Sequence, residues 1–163
     1  MSRQTRIPDT SMSGFTLIEA LVALVVLSIG MLGIAALYVE SLKAGRSAIY
    51  RTQAVALAAD MADRIRANPV AEEGGPVATA VSAAYEGAGA DGGCVSAVAN
   101  CTQAGMAAHD VLLWKARTQE LLPSGQGTIQ HDAGPIPDQF TITVSWSEVG
   151  DPNPATYSLV VQI

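Results

Sequence analysis

Charge is scarce in this chain. Of 163 residues only 15% are Asp, Glu, Lys or Arg, against 49% hydrophobic. That balance is unusual for a soluble domain and points to a concentrated apolar segment. Positive charge is scarcest: nine Lys and Arg against fifteen Asp and Glu give a net charge of −6. Scattered cations on an acidic chain exclude a phosphate-binding surface, so no nucleic-acid partner is expected. Cysteine is limited to Cys94 and Cys101, too few for a disulfide-built miniprotein or an all-cysteine tetrahedral metal site. The two histidines, His109 and His131, lack any metal-ligand spacing such as H-E-x-x-H. The G-x-S-x-G elbow, the P-loop and the dinucleotide fingerprint are absent. His109–Asp110 reads as a helix-surface pair rather than a catalytic dyad. Glu72, Glu73 and Asp151 read as solvated acids rather than a cation site. No enzyme, no cofactor and no metal are expected.

Charge is missing altogether from one stretch. Residues 1–14 (MSRQTRIPDTSMSG) are polar, and the composition switches at Phe15. From Ala20 to Val39 the sequence ALVALVVLSIGMLGIAALYV carries no charged residue. At about 1.5 Å per residue, such a helix spans roughly 30 Å, one hydrocarbon core. By length and hydropathy, a secretory signal peptide and a plain signal anchor both remain open. A signal-peptide core is usually about 7–15 residues, shorter than this run, although Gly33 and Ala35 mimic a small-x-small site. Lys43, Arg46 and Arg51 flank the far end of the run as Arg3 and Arg6 flank the near end, so charge counting leaves orientation open.

Neither reading explains Glu19. A carboxylate early in an apolar helix costs at least a few kcal/mol in lipid, and residues of this kind are usually functional. The local string GFTLIEALVAL, from Gly14 to Leu24, resembles the class III signal of type IV pilins and type II secretion pseudopilins. That signal is a short basic leader ending in Gly, then Phe, then Thr-Leu-Ile-Glu opening a long hydrophobic helix. The resemblance implies that prepilin peptidase cuts between Gly14 and Phe15 and methylates the new Phe15 amine. The chemistry is self-consistent. Gly14 has no Cβ to obstruct approach to the backbone, and a cut before the apolar run retains that run as anchor and assembly surface. The Phe15 ammonium and the Glu19 carboxylate offset each other's desolvation in the membrane. In a filament, Glu19 could meet the amine of a neighbour.

Beyond Val39 the helical pattern turns amphipathic in ESLKAGRSAIYRTQAVALAADMADRIRANP. Leu42, Ile49, Leu57, Met61 and Ile65 fall on one stripe. Arg46, Arg51, Asp60, Asp63 and Arg64 lie mostly off it and read as a solvated face, with Asp60–Arg64 as an i,i+4 pair. Asn68-Pro69 ends the helix. A helix from Phe15 to about Ala67 would run ~80 Å, too long for a domain of this size to bury. Many major pilins bend this helix with a proline near the position of Ala36; this chain has Gly30 and Gly33 instead. Each costs about 1 kcal/mol in a helix, and both local loosening and close helix packing remain open. The stretches LVALVVLSIGMLGIAAL and QAVALAADMADRIRANP further resemble the PilV-like group of minor pilins.

The remainder reads as a head. Residues 70–93 are rich in Gly and Ala and read as a loop, with a short helical fragment around Val77–Tyr85. Cys94 and Cys101 enclose VSAVAN. In an oxidising compartment such as the periplasm, a structural disulfide is the default expectation, worth on the order of 2–3 kcal/mol by loop entropy. A redox pair would normally be spaced Cys-x-x-Cys. Val111, Trp114, Thr118 and Leu121 recur at helical spacing up to Pro123, with Trp114 in the core. Phe140, Ile142, Val144 and Trp146 alternate with Thr and Ser, and Tyr157, Leu159, Val161 and Ile163 alternate again after a turn. That is an antiparallel hairpin, to which Gly127–His131 adds a third strand. The helical stripe of residues 42–65 would cover its apolar face.

The expectation is thus an α+β, type IV pilin-like fold, one long N-terminal helix packed on a small antiparallel sheet. Its parts are a leader (1–14), a transmembrane or assembly half-helix (15–39), an amphipathic half-helix (40–67) and a periplasmic head (70–163). The resemblance implies a minor pilin that helps to initiate and assemble the pilus. Its partners would be other minor pilins, the major pilin, prepilin peptidase, the inner-membrane assembly platform and inner-membrane lipid. It would sit in the inner membrane by a single pass, with a periplasmic C-terminal domain, and then in the pilus. A type II secretion pseudopilin and a tip adhesin or DNA-uptake pilin are the competing functions.

Overall fold

A computed structural model describes residues 14–68, 77–95, 101–134 and 137–163. The leader before Gly14, the Glu72-Glu73 pair and Pro69 lie outside the described residues. Six elements follow in order: α1 (Leu17–Ala67), α2 (Thr79–Glu86), α3 (Gln103–Leu121), β1 (Gln126–Asp132), β2 (Gln139–Trp146) and β3 (Ala155–Gln162). The chain divides between Leu42 and Lys43 into two units, with α1 running through both.

No proline occurs between Pro8 and Pro69, so nothing in α1 removes a backbone donor or clashes with the preceding turn. The helix starts where the Thr16 carbonyl accepts the amides of Glu19, at 3.1 Å, and Ala20, at 3.2 Å. In the first unit every described residue up to Leu42 is exposed. The helix is long and apolar enough there to cross a membrane.

In the second unit α1 buries Ala54, Leu57, Ala58, Met61, Ala62 and Ile65. These positions repeat every three to four residues, so they form one stripe facing the core. Leu57, Met61 and Ile65 match the sequence expectation, but Leu42 is 52% and Ile49 is 58% exposed. The covering stripe therefore begins at Ala54, and alanines supply half of it. Their small side chains let the helix axis approach its neighbours closely. Val81 and Tyr85 from α2, Val77 from just before it, Val111 and Trp114 from α3, and Phe140, Ile142, Val144 and Trp146 from β2 share the core with α1.

The sheet is an antiparallel meander in the order β1-β2-β3. Its register places Ile129 opposite Ile142 and Ile142 opposite Leu159. Strand β2 is central, and its alternate residues Phe140, Ile142, Val144 and Trp146 are buried. Edge strand β3 buries only Val161 fully. Thr143 and Ser158, opposite one another on the polar face, share a hydroxyl hydrogen bond of 2.9 Å. The long helix and three-stranded sheet make the α+β, type IV pilin-like architecture expected from the sequence.

Candidate functional site

The first candidate is the start of α1. Gly14, Phe15 and Thr16 precede the helix and Glu19 lies in its first turn. Helix N-termini carry partial positive charge and unsatisfied amides, so a carboxylate is well placed there. Phe15 is 78%, Leu17 79% and Ile18 70% exposed. Exposed large apolar residues continue from there along the helix to Leu42. Water is a poor solvent for this surface, and lipid or similar helices are good ones. A single carboxylate beside the chain's apolar entry, followed by a fully exposed apolar helix, is an arrangement for anchoring and lateral association.

The second candidate lies in the head. The Cys94 and Cys101 sulfurs are bonded at 2.00 Å, with Cα atoms 5.0 Å apart. The bridge ties the 87–95 loop to Cys101, just before the α3 N-cap Thr102, which accepts the Gly105 amide at 3.0 Å. The loop follows α3 closely: the Ala90 amide donates to Ala108 at 3.0 Å, and Lys115 Nζ donates to the Gly87 carbonyl at 2.7 Å. Gly89 has φ +84°, and a Cβ there would meet the Leu112 backbone, so only glycine suits both its conformation and its contact.

An open cavity of about 460 Å³ lies beside the bridge, lined by Arg64, Asn68, Thr102, Gln103, Met106 and Asp110 among others. Arg64 donates to Asp110 at 2.8 Å and to Asp60 at 3.1 Å. Burial opposes the Arg64 charge, but the hydrogen bonds to Asp110 and then Asp60 outweigh it and raise its pKa. The guanidinium is matched by two carboxylates, so it is a strut between α1 and α3. The charges expected to form a solvated face thus include one inter-helix ion pair. Asn68 Nδ2 donates to the Gln103 carbonyl at 2.9 Å and to Tyr85 Oη at 3.1 Å. Burial raises the Tyr85 pKa, the Asn68 hydrogen bond opposes that shift, and the charge of Asp110 adds to it.

The His109–Asp110 surface pair does not form. Asp110 is taken by Arg64, and His109 is buried, with Nδ1 3.3 Å from Asp91 Oδ1. A one-residue step turns a side chain by about 100° around a helix, which sends the two neighbours to different partners. His131 Nε2 lies 3.1 Å from Asp138 Oδ2, which also accepts the Val77 amide at 3.0 Å. The Val77 hydrogen bond lowers the Asp138 pKa; burial opposes this and His131 reinforces it. Near the β2–β3 turn, Glu148 Oε1 accepts from Ser47 Oγ at 2.9 Å and Trp146 Nε1 at 3.2 Å, with Arg51 Nε at 3.9 Å. These three clusters were missed by sequence reasoning, because each joins residues that only the fold brings together. Each fastens one element to another. Among the described residues, no group of three or more His, Cys, Asp or Glu could hold a metal ion.

Two family models match parts of the chain. Residues 36–112 match the family model described as type IV pilin Tt1218. Residues 10–35 match the model of the prokaryotic N-terminal methylation motif. The two matches adjoin, running from the segment around Gly14 through α1 and α2 into α3. No curated protein and no solved structure gives a match.

Proposed function

We propose that this chain, a type IV pilin carrying the prokaryotic N-terminal methylation motif, is a minor pilin of the PilV-like group that helps to initiate and assemble the pilus. The observation that carries the reading is the Gly14-Phe15-Thr16-Leu17-Ile18-Glu19 string at the head of an apolar helix exposed along its first half. Prepilin peptidase removes residues 1–14 and methylates the Phe15 amine. The 15–39 half of the helix then holds the chain in the inner membrane with the head in the periplasm. There the retained apolar surface lets it join other minor pilins, the major pilin and the assembly platform. Residues 53–69, with the DMADRIR string between Asp60 and Arg66, support the PilV-like assignment. The Cys94–Cys101 bridge suits an oxidising compartment.

The test is the N-terminus and intact mass of the chain recovered from membranes, with and without the peptidase. A product beginning at methylated Phe15, lost without the enzyme, is expected. A start near Ala36, or an uncut chain, would overturn the reading. Deletion of the chain should then abolish or sharply reduce piliation. Loss of exoprotein secretion with intact pili would instead make it a pseudopilin.

A further inference from the structure

We infer that the outer edge of β3 is a docking seam for the same strand of a second copy of this chain. The register of β2 and β3 is unbroken, and its continuation places the Ile163 amide 3.0 Å from the Asp138 carbonyl. Backbone groups alternate in direction along an antiparallel ladder. Tyr157, Leu159 and Val161 therefore bond to β2, while Thr156, Ser158, Val160 and Gln162 aim their amides and carbonyls away from the sheet. The same alternation, carried across β2, aims the His131 amide out of the β1 edge, and there Glu86 of α2 accepts it at 2.9 Å. The two edges thus differ. An outward amide of β1 is taken by a helix side chain and the strand ends in Asp132, whereas among the described residues no strand lies beyond β3.

Open edges are usually blunted by a lysine, a proline or a bulge. Strand β3, with the sequence ATYSLVVQ, has no charged residue, no proline and no break in register. An extended chain is what meets outward groups that recur at every second residue. The half-buried Tyr157 and Leu159 on the inner face suit an arriving strand with alternate apolar residues, and Val160 leaves a 54% exposed apolar side chain on the other face. Strand β3 itself fits that description. Antiparallel pairing centred on Leu159 sets Thr156 opposite Gln162 and Ser158 opposite Val160, which satisfies the outward groups of both copies. It also brings Leu159 against its own counterpart and Tyr157 against Val161. The strand carries no charge, so two copies of an acidic chain meet there without like charges face to face. The seam over residues 156–162 would be about 23 Å long, at the weak end of specific interfaces. It forms where copies are concentrated, as in one bilayer, and in that respect it rests on the membrane anchoring proposed above.

Cross-linking in liposomes tests this register. Both native cysteines are bridged, so an introduced thiol is the one available. Full chains carrying Thr156→Cys or Gln162→Cys, both at exposed positions, are reconstituted separately and together and treated with a mild oxidant. The pairing places these two positions about 5.5 Å apart, within disulfide reach, and each about 20 Å from its own counterpart. Mixed samples should yield a disulfide dimer, and either variant alone should not. Adding Val160→Lys to both chains should reduce the mixed dimer to the single-variant level, with tryptophan fluorescence checking that the fold is kept. Equal dimer in all samples, or none in chains that float with the liposomes, would overturn the seam. In native membranes, a Thr156→Cys adduct with a different protein and none with Gln162→Cys would do the same. Chains that fail to float would count against membrane anchoring instead, and concentrated detergent micelles then decide the seam by the same contrast.

Discussion

Gly127 lacks a side chain where Trp114 needs the room, since a Cβ at this strand position would come within 2.3 Å of the indole Cζ3. The ring cannot retreat, because its Nε1–H donates to the Leu57 carbonyl of α1 at 2.8 Å and the side chain is 1% exposed. Gly127→Ala should therefore cost about 1–3 kcal/mol through overpacking, read as a lower urea midpoint by tryptophan fluorescence. A variant as stable as wild type would mean the indole has another seat. Asp138 makes a second residue-scale prediction. Its pKa is lowered in the fold by the Val77 amide and His131, so the native state favours the ionised form. The stabilisation is then complete above the unfolded value of about 3.9 and is lost as pH falls through the lower native value. Urea midpoints measured from pH 5 down to pH 2.5 should fall more steeply for wild type than for Asp138→Asn. Parallel curves would remove Asp138 from the acid response.

At the scale of elements, α1 offers a sharp contrast between exposed and buried positions of the same apolar pattern. Met61 is 0% exposed and Ile49 is 58% exposed. Met61→Ala should cost about 2–5 kcal/mol, whereas Ile49→Ser should stay within about 0.5 kcal/mol. Chemical denaturation in detergent measures both, and a large loss at Ile49 would restore the longer stripe that periodicity suggests. The difference shows what sequence can convey. Helical spacing reveals which residues share a face but not where the covering partner stops, and Ala54, Ala58 and Ala62 are too weakly apolar to announce their burial. The helix of residues 103–121, the β2–β3 hairpin and the Gly14–Glu19 motif were legible because their signals are contiguous. Arg64–Asp110 and Asp138–Val77 were not, since those partners lie 46 and 61 residues apart. The Cys94–Cys101 bridge, legible from spacing and compartment, closes a short ring. Replacing both cysteines by serine should cost about 2–3 kcal/mol and loosen the 87–95 loop first, which amide exchange would detect as protection lost there before the sheet.

For the whole molecule, Glu19 presents opposing demands on one helix, and they can be separated. In lipid its carboxylate costs a few kcal/mol, so Glu19→Leu should leave membrane retention intact or strengthen it. If the carboxylate served anchoring alone, that variant would be harmless or beneficial. If it instead meets the Phe15 amine of a neighbouring subunit, the variant loses a charge pair formed in the assembled state. Removing one partner leaves the amine uncompensated in an apolar bundle, which is strongly unfavourable. A loss of only about 1.4 kcal/mol already lowers occupancy tenfold. Glu19→Leu should therefore be retained in membranes at the wild-type level while its amount in sheared filaments falls by at least about tenfold. Quantitative immunoblotting of the two fractions makes the comparison, with cleavage after Gly14 checked by mass in both. Unchanged incorporation of a correctly cut variant would reduce Glu19 to a tolerated charge and remove the pairing with a neighbour's Phe15 amine from the account of assembly.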